Sequence, residues 1–134
     1  MQARNTELTL DKQLGLDTLG VAYHVEESVM SLITKDVLKA GKLVVDEIRK
    51  EISDGLPVRG ITLTRLDDRD AGQWSMLVFQ IKVALDTQAA NDAWDRIIDR
   101  ISEIRESQTI DKRLKTALSD KIGVRIRWTG VDPL

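Results

Sequence analysis

The 134-residue chain contains no cysteine. That absence excludes disulfides, thiolate nucleophiles and every metal centre built on sulfur. Proline occurs twice and glycine eight times, and no low-complexity tract, internal repeat or linker is visible. No apolar run reaches the roughly 18–20 residues of a membrane span. No hydrophobic N-terminal segment follows a basic start, so neither a membrane helix nor a secretory leader is expected. A cytoplasmic protein that does not bind membranes is the expectation. His24 is the single histidine, which leaves one side chain that titrates near neutrality when unperturbed.

What is present suits one folded domain over residues 1–134. The chain is 42% hydrophobic and its 20 basic residues nearly balance 22 acidic ones, a composition that excludes disorder. At this length about two-thirds of the unfolded surface is buried, enough for a core without staples.

Hydrophobic periodicity then orders the elements. Leu19, Val21, Tyr23 and Val25 alternate with small or polar residues and predict a strand over 19–25; a backward extension of the next helix is the competing reading. Val29, Ile33, Val37, Ala40, Val44, Ile48 and Ile52 recur in steps of three and four, predicting a long helix over 28–53. Asp54-Gly55 and Pro57 stop it. Strands are expected over 58–66 and 74–85, joined across the polar stretch from Asp67 to Gly72. The second strand is apolar on both faces near its start, as an interior strand would be. A helix over 88–107 follows, with Ala93, Ile97 and Ile101 inward and Arg96 and Arg100 among the outward charges. A short helix over 111–121 and a last strand over 124–128 complete the order. Strand, helix, strand, strand, helix, strand predicts an α+β two-layer sandwich of ferredoxin-like, split βαβ type: an antiparallel sheet of three to four strands with one long and one or two shorter helices on one face. That arrangement carries no function of its own.

Searches for chemistry return mostly exclusions. Gly15 and Gly20 have the spacing of a phosphate-binding loop, but Val21 and Ala22 stand where Lys and Ser/Thr are needed. Gly41 lies inside the long helix, as a close-packing notch or a local weakness. His24-Val25-Glu26 lacks the cysteine partners of a zinc deaminase. His24 with Ser28 has base-and-nucleophile spacing without an orienting third group. Asp67, Asp68 and Asp70 fall short of a calcium loop and include Arg69. No catalytic residue, metal or cofactor is assigned, and a non-enzymatic role is favoured.

Charge is segregated, however. Residues 109–128 carry six cations (Lys112, Arg113, Lys115, Lys121, Arg125, Arg127) against Asp111 and Asp120, while residues 86–108 carry six acids against three arginines. Two functional readings follow, ahead of a less favoured third, an enzyme whose site the sequence conceals at His24 or in the Asp67–Asp70 loop. In the first, the protein is an interaction or regulatory module, a homo-oligomer or a partner of another protein, using Met30, Leu38 and Val45 on the flank of the long helix or the open sheet face. In the second, Lys82, Arg125 and Arg127 on the open sheet face bind nucleic acid or an anionic ligand. Nucleic acid is the less favoured partner, because open-sheet RNA binders stack bases on aromatic residues and the polar face offers little of that kind.

Overall fold

The structure, a computed structural model, describes residues 9–68, 74–107 and 109–128, with Asp68 and Trp74 by backbone alone. Four strands form one sheet: β1 (Tyr23–Val25), β2 (Val58–Asp68), β3 (Trp74–Val83) and β4 (Ile122–Trp128). Helix α1 (Leu10–Leu14) precedes β1, α2 (Lys35–Ser53) joins β1 to β2, and α3 (Thr87–Glu106) with α4 (Lys112–Thr116) joins β3 to β4. Among the described residues no helix is long and apolar enough to cross a membrane.

The strands lie in sequence order, β1-β2-β3-β4, as a mixed sheet. β1 runs parallel to β2, β2 antiparallel to β3, and β3 parallel to β4. This differs from the antiparallel ferredoxin-like sheet expected above. In a split βαβ unit another strand separates the two that a helix connects; here the connected strands are direct neighbours. Strand length explains the difference. β1 makes only three paired positions and suits an edge, whereas β2 and β3 pair from Val58↔Val83 to Asp68↔Trp74 and occupy the centre. β3 is therefore interior, as its apolar faces required.

The long helix begins later than its periodicity suggests. Residues 27–32 form a 3-10 turn, Ile33 and Thr34 are extended, and the Thr34 hydroxyl accepts from the Val37 amide at 3.1 Å to start α2. That oxygen satisfies an amide with no partner earlier in the helix, so a new N-terminus is stable there. Gly55, at φ 106°, follows the other end. The α3 helix starts on an equivalent cap, Asp86 to Ala89. Expected strand 19–25 shrinks to Tyr23–Val25, because Leu16 and Leu19 turn into the core on a short 3-10 turn before Gly20. The expected helix over 111–121 is α4 followed by a π-turn, Ala117–Lys121.

One face of the sheet holds the core. Ile61, Leu63, Leu77, Phe79, Ile81, Val83 and Val124 pack with Val37, Ala40, Val44 and Ile48 of α2 and Ala90, Ala93 and Ile97 of α3. The packed helices also exchange charge. Glu51 of α2, 2% exposed, accepts from Arg96 of α3 at 2.9 and 3.2 Å. Glu47, one turn earlier and also buried, is met by Lys50 at 3.2 Å and Arg100 at 3.7 Å. The sequence pattern places these arginines among the outward charges. Instead they reach across the helix interface, since a buried carboxylate is tolerated only when paired. On the outer edge, the Trp94 indole donates to the Val124 carbonyl at 2.8 Å, covering one of the open backbone acceptors of β4.

The flank of α2 that the sequence left bare is covered by residues 10–19. Leu10, Leu14, Leu16 and Leu19 are buried there. Gly41 is the notch that admits them: a Cβ at that position would stand 2.7 Å from Leu14 Cδ2. Thr18 accepts from Arg49 at 2.6 Å, and the Tyr23 hydroxyl donates to Asp11.

Gly41→Ala normally improves a helix interior by about 1 kcal/mol, but overpacking against Leu14 costs about 1–3 kcal/mol. A net loss is expected in denaturant unfolding, turning into a gain in a Leu14→Ala background. The Tyr23–Asp11 clip has its own signature. Hydrogen bonds from Thr9 and Tyr23 hold Asp11 below its ordinary 3.8, and the bond to Asp11 holds the Tyr23 phenol above 10.0. Its contribution to stability is thus lost as pH falls through the lowered Asp11 value or rises through the raised Tyr23 value, and is complete between the two ordinary values. Tyr23 is the sole tyrosine, so phenolate absorbance titrates it alone. Its midpoint should lie above the ordinary value in the native chain and fall back towards it in Asp11→Ala.

Candidate functional site

A cavity of about 790 Å³ opens at the end of the sheet where β1 finishes and β3 and β4 begin. Crevices beyond strand ends, where crossover connections leave the sheet, are a usual place for ligands. Its volume lies within the roughly 300–1,000 Å³ of small-molecule sites.

Four separate segments build it. The 3-10 turn after β1 contributes Ser31 and Leu32, and the start of α2 contributes Thr34, Asp36 and Val37. The start of β3 contributes Ser75. The chain entering β4 contributes Lys112, Arg113, Thr116, Ala117 and Lys121. Leu32, Val37 and Ala117 give it an apolar floor. Lys112, Arg113 and Lys121 form a cationic side, and none of the three makes an ion pair among the described residues. Asp36 is the one carboxylate in the lining.

The part of the lining that holds Ser31 and Ser75 is braced by Arg65 at the far end of β2. Its guanidinium donates to Ser31 Oγ at 2.6 Å, to Ser75 Oγ at 3.2 Å and to Asp67 Oδ1 at 2.8 Å. Ser75 in turn donates to Asp67, and Ser31 donates to the Ser28 carbonyl. The wall is therefore held by charge-assisted bonds in a defined geometry. A second hollow, about 530 Å³ between α2 and α3, is lined by Glu47, Lys50, Arg100 and Glu103 among others. Its charges balance, and Glu47 and Arg100 among them form an ion pair that joins the helices.

The residues singled out from the sequence are distributed differently. Lys82, Arg125 and Arg127 are exposed on the open face of the sheet, Lys82 beside Arg127 and Arg125 beside Gln80. Arg127 lies 3.5 Å from Gln80 Oε1, and Gln80 reaches Thr64 at 3.3 Å. The basic stretch 109–128 is thus divided by the sheet: Lys112, Arg113 and Lys121 on the cavity side, Arg125 and Arg127 on the other. The three central rows of the open face, from Gly60–Lys82–Arg127 to Thr64–Val78–Gly123, contain no Phe, Tyr or Trp. His24 is exposed on the same face beside Thr62, and Ser28 lies in the turn that follows β1.

Of the residues proposed for self-association, Val45 is 0% exposed, with Gly15 beside it. Leu38 is half-buried against the core, and Met30 is 54% exposed. Asp70 lies outside the described residues; Asp67 is committed to Arg65 and Ser75. Among the described residues no group of three or more His, Cys, Asp and Glu could hold a metal. Sequence reasoning counted the three cavity cations but missed Asp36, Ser31, Ser75 and Arg65. These converge from distant segments and no spacing announces them.

Comparison with models of known families, with curated proteins and with solved structures finds no match.

Three unpaired cations around one cavity repel each other more than they help the fold. Replacing Lys112, Arg113 and Lys121 with Gln is expected to leave stability unchanged or raise it by a few tenths of a kcal/mol each at low salt. The difference should close as salt screens the charges. Thermal unfolding of the triple variant at two ionic strengths measures this, and a marked loss would mean that these residues hold structure instead.

Proposed function

We propose that the protein is a non-enzymatic binding module for a small organic anion, held in the cavity between α2 and the α4 segment. The observation that carries this reading is the set of three cations, Lys112, Arg113 and Lys121, around an apolar-floored cavity, with no carboxylate among the described residues paired to any of them. Surface cations are usually solvated or matched by neighbouring acids. Here they face a volume large enough for a ligand, beside a wall that Arg65 has already ordered. Ordering the wall before binding lowers the entropy that a ligand must overcome.

The reading replaces the open face with the cavity as the place for anion recognition. Lys82, Arg125 and Arg127 remain a basic cluster, but on a flat surface whose central rows lack stacking aromatics. Self-association has less support than the sequence suggested. Its apolar flank is occupied by residues 10–19, and Met30 is left as an isolated exposed side chain, which by itself is ordinary for a protein surface.

The test uses pyrophosphate as probe and thermal unfolding of the whole chain as readout. A ligand at a hundred times its dissociation constant stabilises by about 2.7 kcal/mol. Pyrophosphate is expected to raise the unfolding midpoint of the native chain, and the rise should weaken as salt increases. Lys112→Gln with Lys121→Gln should abolish it, while Lys82→Gln with Arg127→Gln should leave it intact. The reverse pattern would move the site to the open face, and no rise at all would remove anion binding.

A further inference from the structure

We infer that the anion is a phosphate monoester whose other end carries hydroxyl groups, that is, a polyol or sugar phosphate. This rests on the reading of the cavity as an anion site and concerns the rest of its lining. The lining groups differ in hydrogen-bonding capacity. Lys112, Arg113 and Lys121 can only donate, so the end of the ligand against them must accept. Ser31, Ser75 and Asp36 have the contrary character. Ser31 and Ser75 have each spent their single hydroxyl hydrogen, on the Ser28 carbonyl and on Asp67. Each also accepts from Arg65, which leaves one lone pair free. Asp36 adds a carboxylate with no partner among the described residues. Two hydroxyl oxygens and a carboxylate can only accept, while the Thr34 hydroxyl, which accepts from the Val37 amide, keeps its hydrogen to give. Ligand groups that meet the first three must donate, and a hydroxyl, which donates and accepts, suits all four.

Charge narrows the class. Three cations less one carboxylate leave the lining at +2, and a phosphate monoester carries about −1.5 to −2 at neutral pH. A neutral donor end completes the balance; an ammonium would leave one positive charge over. Hydroxyl groups are the neutral donors that a carboxylate takes in numbers. The apolar floor of Leu32, Val37 and Ala117 suits the carbon face of a sugar ring, which is less polar than its rim.

Calorimetric titration of the native chain with a hexose phosphate, ethyl phosphate and phosphoethanolamine separates the outcomes. The hexose phosphate is expected to bind at least about tenfold more tightly than ethyl phosphate, the worth of a hydrogen bond to a charged group. In Asp36→Asn that advantage should shrink towards unity, while ethyl phosphate tightens about two- to fivefold because a like charge has gone. A merely structural role for Asp36 would weaken both together. Equal affinity of the native chain for hexose and ethyl phosphate would overturn the polyol inference and leave anion binding standing. Tightest binding of phosphoethanolamine would overturn it in favour of a cationic far end. Failure of all three, with pyrophosphate, would end both readings. The ligand series on the native chain decides the matter even if the variant does not fold.

Discussion

The pairing of β2 with β3 is the constraint on which the remainder of the molecule depends. It runs from Val58↔Val83 to Asp68↔Trp74, and it places Ile61, Leu63, Leu77, Phe79 and Ile81 side by side on one face. Cross-strand apolar pairs of this kind are the unit from which sheet stability is built. Once this hairpin holds the centre, β1 and β4 can only add at its two edges, each in parallel register with the strand its helices lead from or to. The edges are then short or covered: β1 has three residues, and Trp94 occupies the carbonyl of Val124 on β4.

The same arrangement creates the cavity. Because β2 and β3 run in opposite directions, the exit of β1 and the entries of β3 and β4 come to the same end of the sheet. The start of α2 and the whole of α4 meet there. Arg65, on the core-side parity of β2 opposite Leu77 at the margin of the hydrophobic cluster, ties Ser31, Asp67 and Ser75 into a wall. A single guanidinium thus links the 3-10 turn, the hairpin and the entrance to the site. Helix α2 takes part in two separate electrostatic arrangements. Its C-terminal half pairs Glu47 and Glu51 with α3, whereas its first turn places Asp36 at the cavity with no partner among the described residues.

Residues 10–19 close the core over one flank of α2. Apolar positions off the main stripe of α2 suggested a neighbouring chain; four leucines from the preceding segment lie there instead. They fit because Gly41 lacks a Cβ and because Gly15, at φ 87°, turns the chain where a side chain would meet Arg49. Val45 is therefore core, and surface association through it would require that segment to leave.

Residue pattern alone determined the order of the four strands and of the main helices between them, though neither α1 nor the 3-10 turn before α2. It also determined the stop at Gly55, the interior position of β3 and the concentration of basic residues in 109–128. These are local properties: period, capping chemistry and composition act over a few residues and need no knowledge of the rest. The tertiary structure decided the neighbours. Strand, helix, strand, strand, helix, strand has the same chain directions whether the strands interleave or lie in sequence order, and only the lengths of the competing pairings, three residues against a hairpin of ten or more, select between them. It also decided which side of the sheet each cation occupies. Lys121 and Arg125 stand four residues apart, yet the turn into β4 sends one to the cavity and the other to the open face. Asp36, Ser31 and Ser75 carry no mark in the sequence, because their common property is a shared volume that exists only after the sheet has formed.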